Sequence, residues 1–268
     1  MDQTINIKDY PYSSLASAAK AVKQNILSRK TTNTHDFYFT VGYKSKTFNK
    51  TTALSTIKST IYNHTKIICE GDGLYSMLNS IGFLVKPTLC NDIYYVTITA
   101  YGMYNLTVSQ QKEYTKWVND KAAVIKSVAK TEYEKALTVF QTVIQTVKYG
   151  YTKIEGRNTY QTGYGAIKKS ATCYGISHLL YDLMNAVGVE TRVVRSTSHA
   201  WNIVKINKKW YVCDATRGAS AVNAGTLPTS PSVKNFFLKG SKNYKDNAKR
   251  LTNTSGGSIE IEQNDYKK

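Results

Sequence analysis

The chain has 268 residues, of which 41% are hydrophobic and 12% aromatic, enough apolar material for one large domain or two smaller ones. No apolar run reaches the roughly 18 residues that a membrane-spanning helix needs, so we expect no membrane span. Lysine and arginine outnumber aspartate and glutamate by 36 to 18, which predicts attraction to anionic polymers. The charge is dispersed and no nucleic-acid-binding motif accompanies it, which argues against specific nucleic-acid recognition.

The N-terminal part, residues 1–105, is predicted to form a small α/β extension. Apolar residues at helical spacing behind a serine predict a helix within Ser13 to Lys30. Alternating and β-branched residues predict strands at Asp36 to Tyr43 and Asp92 to Tyr104, and the stretch TTALSTIKSTIYNH predicts a second helix between them.

Residues 106–255 are predicted to form the main domain, followed by a weakly ordered tail at 256–268. Two helices are expected first, TVSQQKEYTKWVNDKAAVIKSVAK and TEYEKALTVFQTVIQTVKYGY. Thr131 and Glu134 form a capping box at the start of the second. A polar loop from Thr152 to Gly165 then leads to a cysteine-containing helix.

Cys173 is expected in the first turn of that helix. Its apolar residues follow helical spacing on one face, and Gly188 marks the end of the helix. The unpaired N–H groups and the helix dipole at this position favour a thiolate, which is the nucleophilic form of cysteine.

A β-hairpin is predicted to bring a histidine and an aspartate together. If AWNIVKI and WYVCDA are joined by a two-residue turn at Asn207 and Lys208, Trp201 lies opposite Asp214. His199 then shares a face with Asp214, and Cys213 faces the opposite side of the sheet. Cys173, His199 and Asp214 can therefore supply a nucleophile, a base and an orienting carboxylate.

The remaining histidines and cysteines are assigned other roles. We expect His35, His64 and His178 to be structural or surface residues. The four cysteines contain no CxxC pair, which argues against a structural zinc site, although Cys69 and Cys90 can pair in an oxidising compartment.

The motifs TCYG, SHAWNIVKI and KWYVCDAT, in this order, resemble those of the transglutaminase-like superfamily. The similarity spans about Ser109 to Tyr244, and the N-terminal part is similar to extensions of some Gram-positive surface proteins. The resemblance implies an α+β, papain-like core in which a nucleophile helix packs on an antiparallel sheet. It also implies that Cys173 is the nucleophile, His199 the general base and acid, and Asp214 the orienting carboxylate.

Further residues are expected near the substrate from the resemblance or from their positions beside Cys173 and His199, with a packing role left open for Tyr174 and Trp201. The stretch GYGAI, which contains Tyr164, is similar to the family's lead into the nucleophile, and Tyr174 and Trp201 are expected near the substrate. Arg217 stands where many members have tryptophan, so we expect a different acceptor preference. No acidic calcium loop is visible, so no metal and no cofactor are predicted.

The expected activity is attack on a carboxamide or amide of a protein or peptide through a thioester, with transfer to an amine or to water. Two alternatives stay open: a cysteine protease or cell-wall peptide hydrolase using the same residues, and a non-catalytic basic surface-binding protein. An anionic cell-wall polymer is a candidate partner. The first residues, MDQTINIKDYPYSS, lack the features of a signal peptide. A secreted or cell-surface location is expected, with a cytoplasmic one left open.

Overall fold

The computed structural model describes residues 5–29, 36–62, 68–69, 78–196, 198–244 and 259–267. These residues divide into two compact units, one containing the described residues up to 62 together with 78–107, the other containing 68–69 and those from 108 onward. In chain order the described helices and strands are α1 (Leu15–Leu27), β1 (Asp36–Ser45), α2 (Lys50–Tyr62), β2 (Ile68–Cys69), β3 (Leu78–Cys90), β4 (Ile93–Tyr104), α3 (Val108–Val128), α4 (Glu132–Thr146), α5 (Gly163–Ile167), α6 (Cys173–Ala186), β5 (Thr191–Arg195), β6 (Ala200–Ile206), β7 (Lys209–Cys213), α7 (Ala215–Asn223) and α8 (Pro231–Lys234).

The first unit is a three-stranded antiparallel sheet, in the order β1, β4, β3, with α1 and α2. Ser14 caps α1 by accepting from the N–H of Ser17, as the serine-led pattern predicts. The strand β3 was not predicted from the sequence. Its partly exposed side chains and the proline at position 87 obscure the alternation that identifies a strand.

The second unit is built on a four-stranded antiparallel sheet in the order β2, β5, β6, β7. The helix α6 packs against β5 and β6, and it also contacts α3, α4 and α7. This is the α+β, papain-like arrangement expected from the sequence. The strand β2 falls within the predicted extension at 1–105, yet it pairs with β5 in this sheet.

The capping box predicted for α4 is confirmed, because the side chains of Thr131 and Glu134 each accept a hydrogen bond from the backbone N–H of the other residue. The predicted loop from Thr152 to Gly165 is partly helical, since it holds a short 3-10 turn at Thr159–Gln161 and the start of α5. Thr162 caps α5 by accepting from the N–H of Gly165, a signal that the glycine content of this stretch obscured.

The hairpin of β6 and β7 has the predicted register, with Ile206 opposite Lys209 and Asn202 opposite Cys213. Asn207 and Lys208 have φ values of 50° and 66°, the left-handed conformation that a tight two-residue turn requires. The two strands therefore carry His199 and Asp214 to the same end of the hairpin.

The expectation of a weakly ordered tail is wrong for residues 259–267. Ile261 is buried and pairs with Trp210, while the N–H of Glu262 donates to the carbonyl of Trp210 at 2.9 Å. The alternating isoleucines of SIEIE supply the apolar contact that holds this segment against β7. Residues 245–258 of the predicted domain and tail lie outside the described residues.

Candidate active site

Cys173 is the first residue of α6 and is half-buried. The chain before it is held by backbone hydrogen bonds, in which the N–H of Ala171 donates to Lys148 and the N–H of Thr172 donates to Tyr160. Gly175 allows a close approach behind the cysteine, because a Cβ there would lie 2.7 Å from the backbone oxygens of Tyr160 and Thr162. The glycine of TCYG is therefore required by close packing. The backbone on both sides of Cys173 is fixed, by hydrogen bonds before it and by this packing after it.

His199 immediately precedes β6 in a tight loop. Its carbonyl accepts from the N–H of Ser196 at 2.8 Å, and its own N–H donates to the Ser196 hydroxyl at 3.1 Å. The imidazole stacks on the indole of Trp201, with ring centroids 5.7 Å apart and planes inclined by 20°. The loop and the indole together restrict the direction in which the imidazole points.

Asp214 joins the end of β7 to the start of α7 and is fully buried. Its Oδ1 accepts from the N–H of Arg217 at 3.1 Å, so the carboxylate also caps α7. Its Oδ2 accepts from Nε2 of His199 at 2.8 Å and from the hydroxyl of Tyr244 at 2.6 Å. With Nε2 bound to Asp214, Nδ1 of His199 is left for the sulfur of Cys173.

The electrostatics of the cysteine and histidine favour a charged pair. Burial acts to raise the pKa of the Cys173 thiol, but hydrogen bonds from His199 and from the N–H groups of Ala200 and Tyr174 bring it below its ordinary value. Burial acts to lower the pKa of His199, and its bonds to Asp214 and Cys173 outweigh this and raise it to about 9. Both shifts favour the thiolate and the imidazolium over the neutral pair.

The structure brings Cys173, His199 and Asp214 together in one hydrogen-bonded series. Tyr174 follows Cys173, contributes its N–H to the sulfur and packs its ring on His178. Trp201 is almost fully buried beneath His199, so it contacts the imidazole and leaves little surface for a substrate.

The other two residues expected near the substrate have different surroundings. Tyr164 is buried and its hydroxyl donates to Glu113 on α3 at 3.1 Å, which fits a packing role better than the substrate contact predicted for it. Arg217 is partly exposed, and its Nε lies 3.5 Å from Oδ2 of Asp214, so its charge is directed at the carboxylate.

Two tyrosines at this site were missed in the sequence. Tyr244 lies thirty residues beyond Asp214 in a polar, lysine-rich stretch, where an isolated aromatic residue was the only signal. Tyr149 is about half exposed, and its hydroxyl is hydrogen-bonded to the backbone N–H of Cys173 and lies 3.4 Å from the hydroxyl of Tyr151. Sequence spacing gives no sign of this contact, which the pairing of Tyr149 with Ala171 creates.

The remaining assignments concern cysteines, histidines and metal ligands. Cys213 and His178 are buried, as their packing roles require, and Cys90 is an exposed free thiol. The side chain of Cys69, and all of His35 and His64, lie outside the described residues.

Within the described part of the chain, no three His, Cys, Asp or Glu side chains gather as metal ligands. No helix of that part is long and apolar enough to cross a membrane.

Comparison with known proteins shows what this part of the chain is similar to. Residues 119–215 match the family model of the transglutaminase-like superfamily, a segment that contains Cys173, His199 and Asp214. No curated protein matches the sequence. A "putative cysteine protease" from Cytophaga hutchinsonii is 11% identical with a TM-score of 0.32, over 68% of this chain and 74% of that one. A "putative protease" from Parabacteroides distasonis is 9% identical with a TM-score of 0.29, over 66% of this chain and 39% of that one.

Proposed function

We propose that the chain is a cysteine-dependent acyltransferase or amidohydrolase of the transglutaminase-like superfamily, whose family model matches residues 119–215. The substrate would be a carboxamide or amide group of a protein or peptide. The observation that carries the proposal is the series in which Cys173 is hydrogen-bonded to His199, and His199 to Asp214 at 2.8 Å. A nucleophile, a base and an orienting carboxylate connected in this order are what acyl transfer requires.

In the first half of the reaction, the thiolate of Cys173 attacks the carbonyl carbon, and a C–S bond forms as the carbonyl electrons move onto oxygen. When the C–N bond breaks, the His199 imidazolium gives its proton to the departing nitrogen, which leaves as ammonia or an amine. In the second half, neutral His199 takes a proton from water or an amine as it attacks the thioester. The C–S bond then breaks, which restores the thiolate and the imidazolium.

The developing oxyanion would be stabilised at the start of α6. The backbone N–H of Cys173 is the donor that this position would supply. In the structure it donates to the hydroxyl oxygen of Tyr149, so an oxyanion would replace that oxygen as the acceptor. The neighbouring hydroxyl of Tyr151, 3.4 Å away, supports the position of Tyr149.

We expect water to be the better acceptor. The guanidinium of Arg217 is partly exposed next to Asp214, and a cation at this place repels a protonated lysine side chain while leaving water unaffected. The thioester should therefore be hydrolysed more often than it is transferred. Arg217→Gln, which removes the charge and keeps a polar chain, should raise the fraction transferred to an amine.

Mass spectrometry of a glutamine-containing peptide, incubated with the full chain with and without a primary amine, tests this proposal. Deamidation alone indicates hydrolysis, an amine adduct indicates transfer, and cleavage of the peptide backbone indicates the protease alternative. Cys173→Ala is the matched control and should yield none of these products. A peptide left unchanged by the wild-type chain, over a panel of sequences, would favour the non-catalytic alternative.

A further inference from the structure

Tyr244 makes the shortest of the hydrogen bonds at the Asp214 carboxylate. Its hydroxyl donates to Oδ2 at 2.6 Å, whereas Nε2 of His199 donates to the same oxygen at 2.8 Å. The tyrosine is buried, with 5% of its surface exposed, so water competes little for this bond. Tyr244 lies beyond the segment 119–215 that matches the family.

We propose that Tyr244 is a positioning residue that orients Asp214 toward His199 and limits how strongly the carboxylate attracts the imidazolium. The inference rests on the proposed function, because it concerns the same three residues. A carboxylate oxygen that accepts from two donors shares its charge between them. The hydrogen bond from the tyrosine hydroxyl therefore weakens the attraction between Asp214 and the imidazolium.

The ring of Tyr244 reinforces this positioning. It packs on Trp201, with centroids 6.1 Å apart, and Trp201 in turn stacks on His199. Tyr244 thus contacts the Asp214 carboxylate through its hydroxyl, and through its ring it contacts Trp201, on which the imidazole stacks. The ring of Tyr244 also faces the guanidinium of Arg217, at 5.9 Å from the centroid.

The backbone that carries Tyr244 is fixed by the C-terminal segment 259–267. The N–H of Ser241 donates to Glu262 at 2.8 Å, and the N–H of Gly240 donates to Oδ1 of Asp265 at 2.8 Å. Asp265 also forms an ion pair with Lys239. A Cβ at Gly240 would lie 2.3 Å from the backbone of Asn264, so the two segments are in close contact.

The titratable and charged groups that face Asp214 and His199 come from several elements. They are Cys173 on α6, Cys213 on β7, Arg217 on α7 and Tyr244 on the following loop. The backbone N–H of Arg217 donates to Oδ1 of Asp214, its Nε lies 3.5 Å from Oδ2, and Cys213 is neutral because burial raises its pKa well above the ordinary value. Removal of the Tyr244 hydroxyl leaves all of these groups in place and takes away one donor to the oxygen that His199 contacts.

Tyr244→Phe tests the proposal, since it removes the hydroxyl and keeps the ring on Trp201. The titration of His199 is followed by NMR, with its signal assigned by its loss in His199→Ala, and the pH dependence of turnover is recorded alongside. We expect the His199 pKa and the alkaline limb of turnover to rise by roughly one pH unit, because one of the donors that share Oδ2 with the imidazolium is then lost.

Tyr114→Phe is the matched control. Tyr114 is also buried in the second unit and donates to a carboxylate, Asp182, at 2.5 Å, but it does not contact the three residues of the site. It should lose a comparable hydrogen bond without moving the titration of His199. If Tyr244→Phe fails to fold, Asp265→Ala replaces it, because loosening the Gly240 anchor should move the titration in the same direction by a smaller amount.

An unchanged or lowered His199 pKa in Tyr244→Phe, or an equal shift in Tyr114→Phe, would overturn the inference. The NMR titration does not depend on turnover, so this failure is distinct from that of the proposed function. If the wild-type chain yields no product but Tyr244→Phe still raises the His199 pKa, the proposed enzymatic function is refuted and the positioning role of Tyr244 stands.

Discussion

The start of α6 and the end of β7 each present a cysteine, and the two have opposite acid–base character. Cys173 is half-buried, and the imidazole and N–H groups around it lower its pKa. Cys213 is fully buried next to Asp214, and desolvation and the carboxylate charge raise its pKa well above the ordinary value. Burial acts to raise the pKa of both thiols, so the donors directed at the sulfur of Cys173 account for the opposite direction of its shift.

The two histidines that the structure describes, His178 and His199, show the same contrast. His178, five residues beyond Cys173 on α6, is buried, and desolvation lowers its pKa to about 4. His199 is also largely enclosed, yet its bonds to Asp214 and Cys173 raise its pKa to about 9. A charged partner therefore reverses the effect that burial has on its own.

The largest expected effect separates the two cysteines directly. Cys173→Ala should reduce turnover by at least about 10⁴-fold, since no other described thiol lies next to His199. Cys213→Ala should keep turnover near that of the wild type and lower the free energy of unfolding by about 1 kcal/mol, through the small cavity it leaves. Steady-state assays and thermal denaturation measure the two outcomes. Loss of activity in a well-folded Cys213→Ala would break the comparison.

Alkylation by iodoacetamide at neutral pH gives the next largest effect. Cys173 should be labelled about 100-fold or more faster than either the exposed Cys90 or the buried Cys213, because iodoacetamide reacts with the thiolate and not with the thiol. His199→Ala should slow labelling of Cys173 alone. Peptide mass spectrometry of timed samples reports each site, and equal rates at Cys173 and Cys90 in the native chain would contradict an activated nucleophile.

The pH dependence of turnover sharpens the comparison. The thiolate–imidazolium pair exists between the lowered pKa of Cys173 and the raised pKa of His199, so turnover should fall as pH rises through about 9, where the proton donor is lost. A profile of turnover that stays flat to pH 10 would contradict this.

The charge of His199 also contributes to folding. Because its folded pKa is raised above 6.5, this contribution to the free energy of unfolding is full below pH 6.5 and is lost as pH rises through about 9.

The smallest effect concerns stability in acid. His178 has a folded pKa of about 4, below the ordinary 6.5, so the unfolded chain binds its proton more readily. Its contribution is therefore complete above pH 6.5 and is lost as pH falls through about 4. His178→Leu should remove this loss, which is on the order of 3 kcal/mol for a shift of this size. Urea denaturation at several pH values tests it, with Cys213→Ala as a variant that should keep the acid loss.

Much of the site was predictable because it depends on short-range rules. The helical spacing of apolar residues identified α6 and put Cys173 in its first turn, since a helix needs one continuous face to pack on the sheet. The turn at Asn207 and Lys208 set the register of β6 and β7, and register alone decides that His199 and Asp214 share a face.

Tertiary structure alone decided what surrounds these three residues. Tyr244 reaches Asp214 across thirty residues, and it is held there by segment 259–267, which looked like a polar tail. Tyr149 meets Cys173 because the chain before α5 pairs with the chain before α6. Neither contact has a period or a turn that specifies it. Each depends on packing between segments far apart in the chain, and the local pattern of residues carries no record of such distances.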